Sequence, residues 1–215
     1  MIKHQVHSIK FVIDWNHPDV AQTVILASKI GSSGYKNFSA SSSFYGAKRT
    51  PSPVQHSGQK QWYQHLFAYN VMESAPYWTE YMFAWDQLQA AIEALRPIGP
   101  KIAQLSALTL SRSIGADRGW MSMANEESLG TDHGMTLHFN WAASTPLANV
   151  LEMLTEIEKI IAPFKPRPHW AKVFTLSPTS YLPLYKKRKE FKELADELDP
   201  NGRFRNQFLA EKVFA

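Results

Sequence analysis

No cysteine occurs among the 215 residues, which excludes disulfides, thiolate metal sites and cysteine nucleophiles together. No apolar run is long enough to span a bilayer, and the opening Met1-Ile-Lys-His-Gln-Val6 lacks the apolar core of a secretion signal. A cytoplasmic location is therefore the expectation. Glycine-rich dinucleotide and phosphate-loop signatures are absent, as is a Gly-x-Ser-x-Gly elbow, so neither a phosphate cradle nor a serine-hydrolase site is expected. No His/Asp/Glu grouping has metal-ligand spacing; His4 and His7 come nearest, and no metal site is expected. Nothing matches a nucleic-acid-binding module, so no nucleic-acid partner is expected either.

What is present is a chain with 44% hydrophobic residues, enough at this length to bury one large core. The net charge of +4 is unevenly spread. Residues 165–215 carry 11 Lys/Arg against 6 Asp/Glu, whereas residues 1–164 carry 12 against 13. The basic tail could meet an acidic partner or the phosphates of a nucleotide cofactor. A solvated helix face explains its densest run, Lys186 to Lys189, equally well.

Strand patterns are expected at Val6 to Ile13 and Thr23 to Ala27. Eight serines, with glycines and prolines, fill the unperiodic stretch from Gly31 to Gly58, which reads as a long mobile loop. A strand at Tyr77 to Phe83 leads to Asp86, the expected N-cap of a helix carrying Leu88, Ala91, Ile92 and Leu95 on one side. Pro97, Gly99 and Pro100 end it. A strand follows over Ala107 to Ile114. Another runs from Met135 to Trp141, with Met135, Leu137, Phe139 and Trp141 on one face and Thr136, His138 and Asn140 on the other. Thr145-Pro146 is expected to cap an amphipathic helix burying Leu147, Val150, Leu151, Leu154, Ile157 and Ile161, with Glu152, Glu156 and Glu158 elsewhere. Pro183 is expected to open a basic helix with a packing stripe at Phe191, Leu194 and Leu198. Asp199-Pro-Asn-Gly202 reads as a turn before a last short helix. Grouped strands without regular βαβ alternation imply an α+β fold, a largely antiparallel sheet flanked by helices.

Three places invite chemistry. In Arg167-Pro-His-Trp-Ala-Lys-Val-Phe174 the prolines favour an extended chain, and strand alternation would set Lys172 between Trp170 and Phe174, opposite His169, Ala171 and Val173. A desolvated lysine shifts its pKa or finds an anion, although a stem lying across an aromatic with its head in water explains the pattern too. Arg112 shares a face with Leu108 and Leu110 and needs an anion there, or else sits at the wet end of the strand. The Thr136, His138, Asn140 row suits the reading of ligand hydroxyls, or faces solvent.

Four segments, Leu110-Ser-Arg-Ser-Ile-Gly-Ala-Asp-Arg-Gly-Trp-Met-Ser122, Leu137-His-Phe-Asn-Trp141, the 167–174 stretch and Leu198-Asp-Pro-Asn-Gly-Arg-Phe-Arg-Asn206, resemble the C-terminal half of alditol (xylitol) oxidases. These are relatives of the D-arabinono-1,4-lactone oxidases, in the vanillyl-alcohol-oxidase class of FAD flavoproteins. The resemblance implies a substrate-binding cap domain over residues 1–171 and, over 172–215, a tail that packs on a FAD-binding domain lying outside this sequence. It implies FAD as cofactor, a polyol or sugar lactone as substrate, and little activity without that domain. A separate flavin-domain chain is one expected partner; without that host the tail's apolar residues, Phe191, Leu194, Leu198, Phe204, Phe208 and Val213, either fold back over their own sheet or, as expected here, pair with a second copy of the chain.

By position, the resemblance makes Lys172 and His138 the catalytic pair against one substrate. It sets Arg112 in the substrate site, His138 and Asn140 near substrate hydroxyls and Lys172 beside flavin and substrate; His169 and Glu80 are further expected substrate contacts, and Trp170 a further expected cofactor contact. Two positions depart from the family pattern, Leu110 where a glutamate is usual and Ala171 where glycine is. The loss at Leu110 removes a carboxylate partner for Arg112, for which Glu80 is a candidate substitute. A remnant or binding module without redox chemistry is the alternative expectation.

Overall fold

Alternating apolar residues at period two need a partner layer, and the central strands find one in two helices. The computed structural model describes residues 8–17, 21–27, 43–44, 47–48 and 75–215. Most of the stretch read as a loop from Gly31 to Gly58, and both His4 and His7, lie outside the described residues. Among the described residues, six strands form one antiparallel sheet: β1 (Ser8–Ile13), β2 (Ala21–Ala27), β5 (Trp78–Ala84), β6 (Ser106–Gly115), β7 (His133–Trp141) and the two-residue β8 (Arg167–Pro168). Their order is β2-β1-β6-β7-β5-β8, and β3 (Ser43–Phe44) pairs separately with β4 (Ala47–Lys48). The α+β expectation thus holds, with β7 at the centre.

One face of the sheet carries the core. Tyr81, Phe83, Leu137, Phe139 and Trp141 are buried there against Leu88, Ala91 and Leu95 of α1 (Leu88–Leu95) and Val150, Leu154, Ile157 and Ile161 of α4 (Leu147–Ile161). Between them come α2 (Gly99–Leu105) and the single turn α3 (Glu126–Leu129). Indole donors inside this layer are satisfied: Trp15 Nε1 donates to Thr109 Oγ1 at 2.9 Å and Trp141 Nε1 to Thr79 Oγ1 at 3.0 Å.

Several local expectations shift. Gln87, not Asp86, sits at the N-cap of α1, and Pro146 holds that place in α4 while Thr145 Oγ1 donates to Leu105 O at 2.9 Å. Thr145 therefore ties α4 to the end of α2 instead of satisfying its own helix. Leu147 and Leu151 are exposed at 39% and 37%, and Glu158 is buried in their stead at 5%. The stripe of α4 is therefore rotated from the one expected. The tail begins with α5 (Pro178–Tyr181), passes Pro183 in a 3-10 turn, and continues as α6 (Arg188–Leu198) and α7 (Gln207–Lys212). The proline's fixed φ suits that tight turn, and the basic helix starts five residues after it.

The apolar residues of the tail divide. Val213 is buried at 8%, and Phe191 stacks on Phe214 at 5.8 Å, so the C-terminus folds back on its own chain. Leu194, Leu198, Phe204 and Phe208 remain exposed, at 42%, 72%, 83% and 38%.

Candidate functional site

The second face of the sheet is polar, and its register sets the site. Leu110 of β6, His138 of β7 and Glu80 of β5 lie in one row across the strands, with Arg112, Thr136 and Met82 in the next row and Leu108, Asn140 and Trp78 on the other side. Alternation thus delivers an arginine, a histidine, an asparagine and a glutamate to one patch. This face is not a solvated surface: Glu80, Thr136, His138 and Asn140 are 5%, 2%, 2% and 2% exposed.

Lys172 reaches the patch by a route that strand alternation does not describe. β8 ends at Pro168; His169 N donates to Glu80 O at 2.9 Å, Lys172 N donates back to His169 O at 3.1 Å, and Val173 N returns to Trp78 O at 2.9 Å. Residues 169–172 therefore make a turn out from the edge of β5, because four residues span what two cover on the partner strand. The expected extended run from Arg167 to Phe174 is broken by that turn, so Lys172 is not held between Trp170 and Phe174. Its ammonium instead bonds Glu80 Oε2 and lies 3.2 Å from His138 Nδ1.

Around Glu80 the geometry is convergent. His138 Nδ1 stands 3.4 Å from Oε2 and Arg112 Nη1 stands 3.6 Å from Oε1. Burial by itself raises the Glu80 pKa, but the neighbouring His138 and the charge of Lys172 outweigh it and hold the carboxyl well below its ordinary range. Lys172 moves the other way: burial lowers its pKa, Glu80 opposes this in part, and Arg112 adds to it. His169 is lowered by burial and by the Lys172 charge, which places it beside the cluster; its Nδ1 accepts from Ala171 N at 3.1 Å.

Hydrogen-bond logic assigns the imidazole. An ammonium only donates, so His138 Nδ1 accepts from Lys172 and the proton sits on Nε2, which donates to Asn140 Oδ1 at 2.8 Å. Asn140 Nδ2 then has no partner among the described residues although it is buried, and Thr136 Oγ1 shares that condition. Buried donors without partners are few in native folds and mark places where a ligand or water completes the set.

The structure brings together Lys172, His138, Glu80, Arg112 and Asn140, with His169 alongside. Trp170 stands apart: its Nε1 donates to Met121 O at 2.9 Å and its ring stacks on Tyr185 at 5.3 Å, fixing the tail to the loop after β6. Reading the sequence missed two contributors. Trp78, 39% exposed, sets its ring 6.3 Å from His138 at the mouth of the patch, and only the alternation shared with Glu80 could have indicated it. Glu158 accepts from Tyr81 Oη at 2.7 Å, from Thr175 N at 2.8 Å and from Thr175 Oγ1, anchoring the segment that carries Lys172. Its position four residues after Leu154 was the available signal. Burial, with the Glu158 charge next, pushes the Tyr81 phenol well up, so it stays a donor.

A surface cavity lined by Asp117, Arg118, Trp120, Asn125 and Lys187 shares no residue with this cluster. Among the described residues no group of three or more His, Asp or Glu could hold a metal ion, and no helix is long and apolar enough to cross a membrane.

Comparison with known proteins adds two findings. The family model described as D-arabinono-1,4-lactone oxidase matches residues 43–212. An alditol oxidase of Streptomyces sp. (strain IKD472 / FERM P-14339) is 33% identical over 136 residues, covering 62% of this chain and 30% of that relative. The chain thus spans about a third of the length of the relative it matches.

Proposed function

The chain belongs to the D-arabinono-1,4-lactone oxidase family, and from that premise we propose that it is the substrate-binding and C-terminal portion of a FAD-dependent sugar-alcohol or sugar-lactone oxidase. The observation that carries the reading is the buried convergence of Lys172, His138, Glu80, Arg112 and Asn140 on one sheet face.

The donor set fits the group. Lys172 and Arg112 supply positive charge in a desolvated patch, as the polar edge of an isoalloxazine and a polyhydroxylated substrate both require. The pyrophosphate has no glycine-rich cradle in this sequence. When bound, FAD would accept hydride from a substrate carbinol carbon. Lys172 then holds charge where negative charge develops on the substrate oxygen. His138 keeps Nδ1 toward Lys172, with its ring orientation fixed by Asn140 through Nε2, and takes a hydroxyl proton at Nδ1 once the ammonium turns to the substrate oxygen. Arg112, Asn140 and His169 bind and orient hydroxyls, and Glu80 keeps Lys172 in place. The exposed Leu194, Leu198, Phe204 and Phe208 dock on a flavin-binding region or on a second copy of the chain.

Flavin reduction tests this reading. The chain assembled with a flavin-binding region should bleach the flavin's visible absorbance on anaerobic mixing with sugar alcohols or lactones. Lys172→Met should slow that bleaching about a hundredfold or more, the usual cost of losing one preorganised charge donor. Absence of bleaching with every polyol and lactone would overturn it. A binding module without redox chemistry is the second reading, favoured by Leu110, an apolar side chain 7% exposed in the row of Glu80 and His138.

A further inference from the structure

The charges of the cluster do not balance. Among the described residues, Lys172 and Arg112 face one carboxylate, Glu80, and that carboxylate is already committed, its Oε2 to the lysine. Arg112 Nη1 lies 3.6 Å from Oε1, too far for a hydrogen bond, and the guanidinium has no side-chain hydrogen bond among the described residues. Its side chain is 25% exposed, so it stands at the opening of the patch while Glu80 lies beneath it. Leu110, paired with His138 across β6 and β7, supplies no acceptor.

The unfilled hydrogen-bonding capacity has the same bias. Asn140 Oδ1 already accepts from His138 Nε2, and its Nδ2 donor is buried and without a partner among the described residues. The guanidinium is donor-only. A neutral polyol brings a proton to donate with every hydroxyl, and among the described residues the one carboxylate within the cluster is already engaged. A carboxylate brings acceptors alone, in the planar geometry a guanidinium matches with two parallel hydrogen bonds.

We propose that the site takes a polyhydroxy carboxylate, a sugar acid, in preference to the neutral sugar alcohol, with the carboxylate on Arg112 and a neighbouring hydroxyl on Asn140 Nδ2. This rests on the reading of the cluster as the substrate site and narrows the class of substrate that it accepts. The anion neutralises the excess charge, and a hydroxyl meets the unpartnered Asn140 donor deeper in the patch. Leu110 packs against the carbon skeleton. Arg112 thereby becomes the residue that sets substrate charge.

Calorimetric titration of the full chain with D-gluconate, D-sorbitol and sulfate, at matched ionic strength, tests the proposal. Gluconate and sorbitol share a six-carbon hydroxylated skeleton, so their ratio isolates the carboxylate. Gluconate is expected to bind about tenfold or more tightly than sorbitol, since a charge-assisted hydrogen bond contributes at least that factor. Arg112→Gln should abolish the preference, and Arg112→Lys should retain part of it. Sorbitol binding as well as gluconate overturns the proposal while leaving the polyol site intact. Sulfate matching gluconate overturns it as well, by showing an unselective anion site, and binding of no sugar compound overturns both this proposal and the substrate-site reading. The wild-type ratio decides even if a variant fails to fold.

Discussion

Lys172 and Glu80 hold each other inside the fold, so removing either strands the other's charge where water cannot reach it. Lys172→Met and Glu80→Gln are each expected to cost about 3 kcal/mol, and the double variant markedly less than the sum, because the penalty is the uncompensated partner more than the lost contact. Urea titrations of the four proteins check this. The pH dependence has a definite sign. Glu80 has a folded pKa below its unfolded one, so its contribution is complete above the ordinary carboxylate value of about 4.3 and is lost as pH falls below it. The urea midpoint should decline from about pH 5 downward, and Glu80→Gln should flatten that decline. Equal slopes in the two proteins would show that the acid limb belongs to other carboxylates.

At the scale of elements, the segment bearing Lys172 is fastened at both ends, by β5 through His169 and Val173 and by α4 through Glu158 and Thr175. Glu158→Ala should leave Tyr81 Oη and Thr175 N unsatisfied, cost about 2–4 kcal/mol, and speed amide exchange at residues 172–176. Unchanged exchange there would mean that the strand contacts alone hold the lysine. Elements such as β7 were legible because period-two alternation fixes which side each residue takes, and Met135 to Trp141 alternate without a break. That the polar side of β7 is covered could not be read, since alternation assigns a face but not what lies over it. The lysine turn escaped for a related reason: its path depends on where β5 offers carbonyls, a partner 92 positions away in the Lys172 to Glu80 contact. Glu158 was placed on the wet side because glutamate is seldom buried, although its spacing from Leu154 fitted the packed stripe.

For the whole molecule, the sheet supplies a buried charged patch and the tail an apolar surface, but no phosphate cradle appears in the sequence. Purified alone, the chain should be colourless and should separate from added FAD on gel filtration; a yellow protein peak would show that it binds the cofactor unaided. The claim on which the functional reading rests is that the Lys172, Glu80, His138 cluster is the substrate site, and His138 reports on it directly through its two ring nitrogens. Nitrogen NMR of histidine-labelled protein, titrated with sorbitol, D-arabinono-1,4-lactone and gluconate, is the decisive measurement. A saturable shift of the His138 Nδ1 and Nε2 resonances with at least one of them, absent in Lys172→Met, is expected; resonances that stay in place with all three, in a protein that remains folded, would contradict the claim.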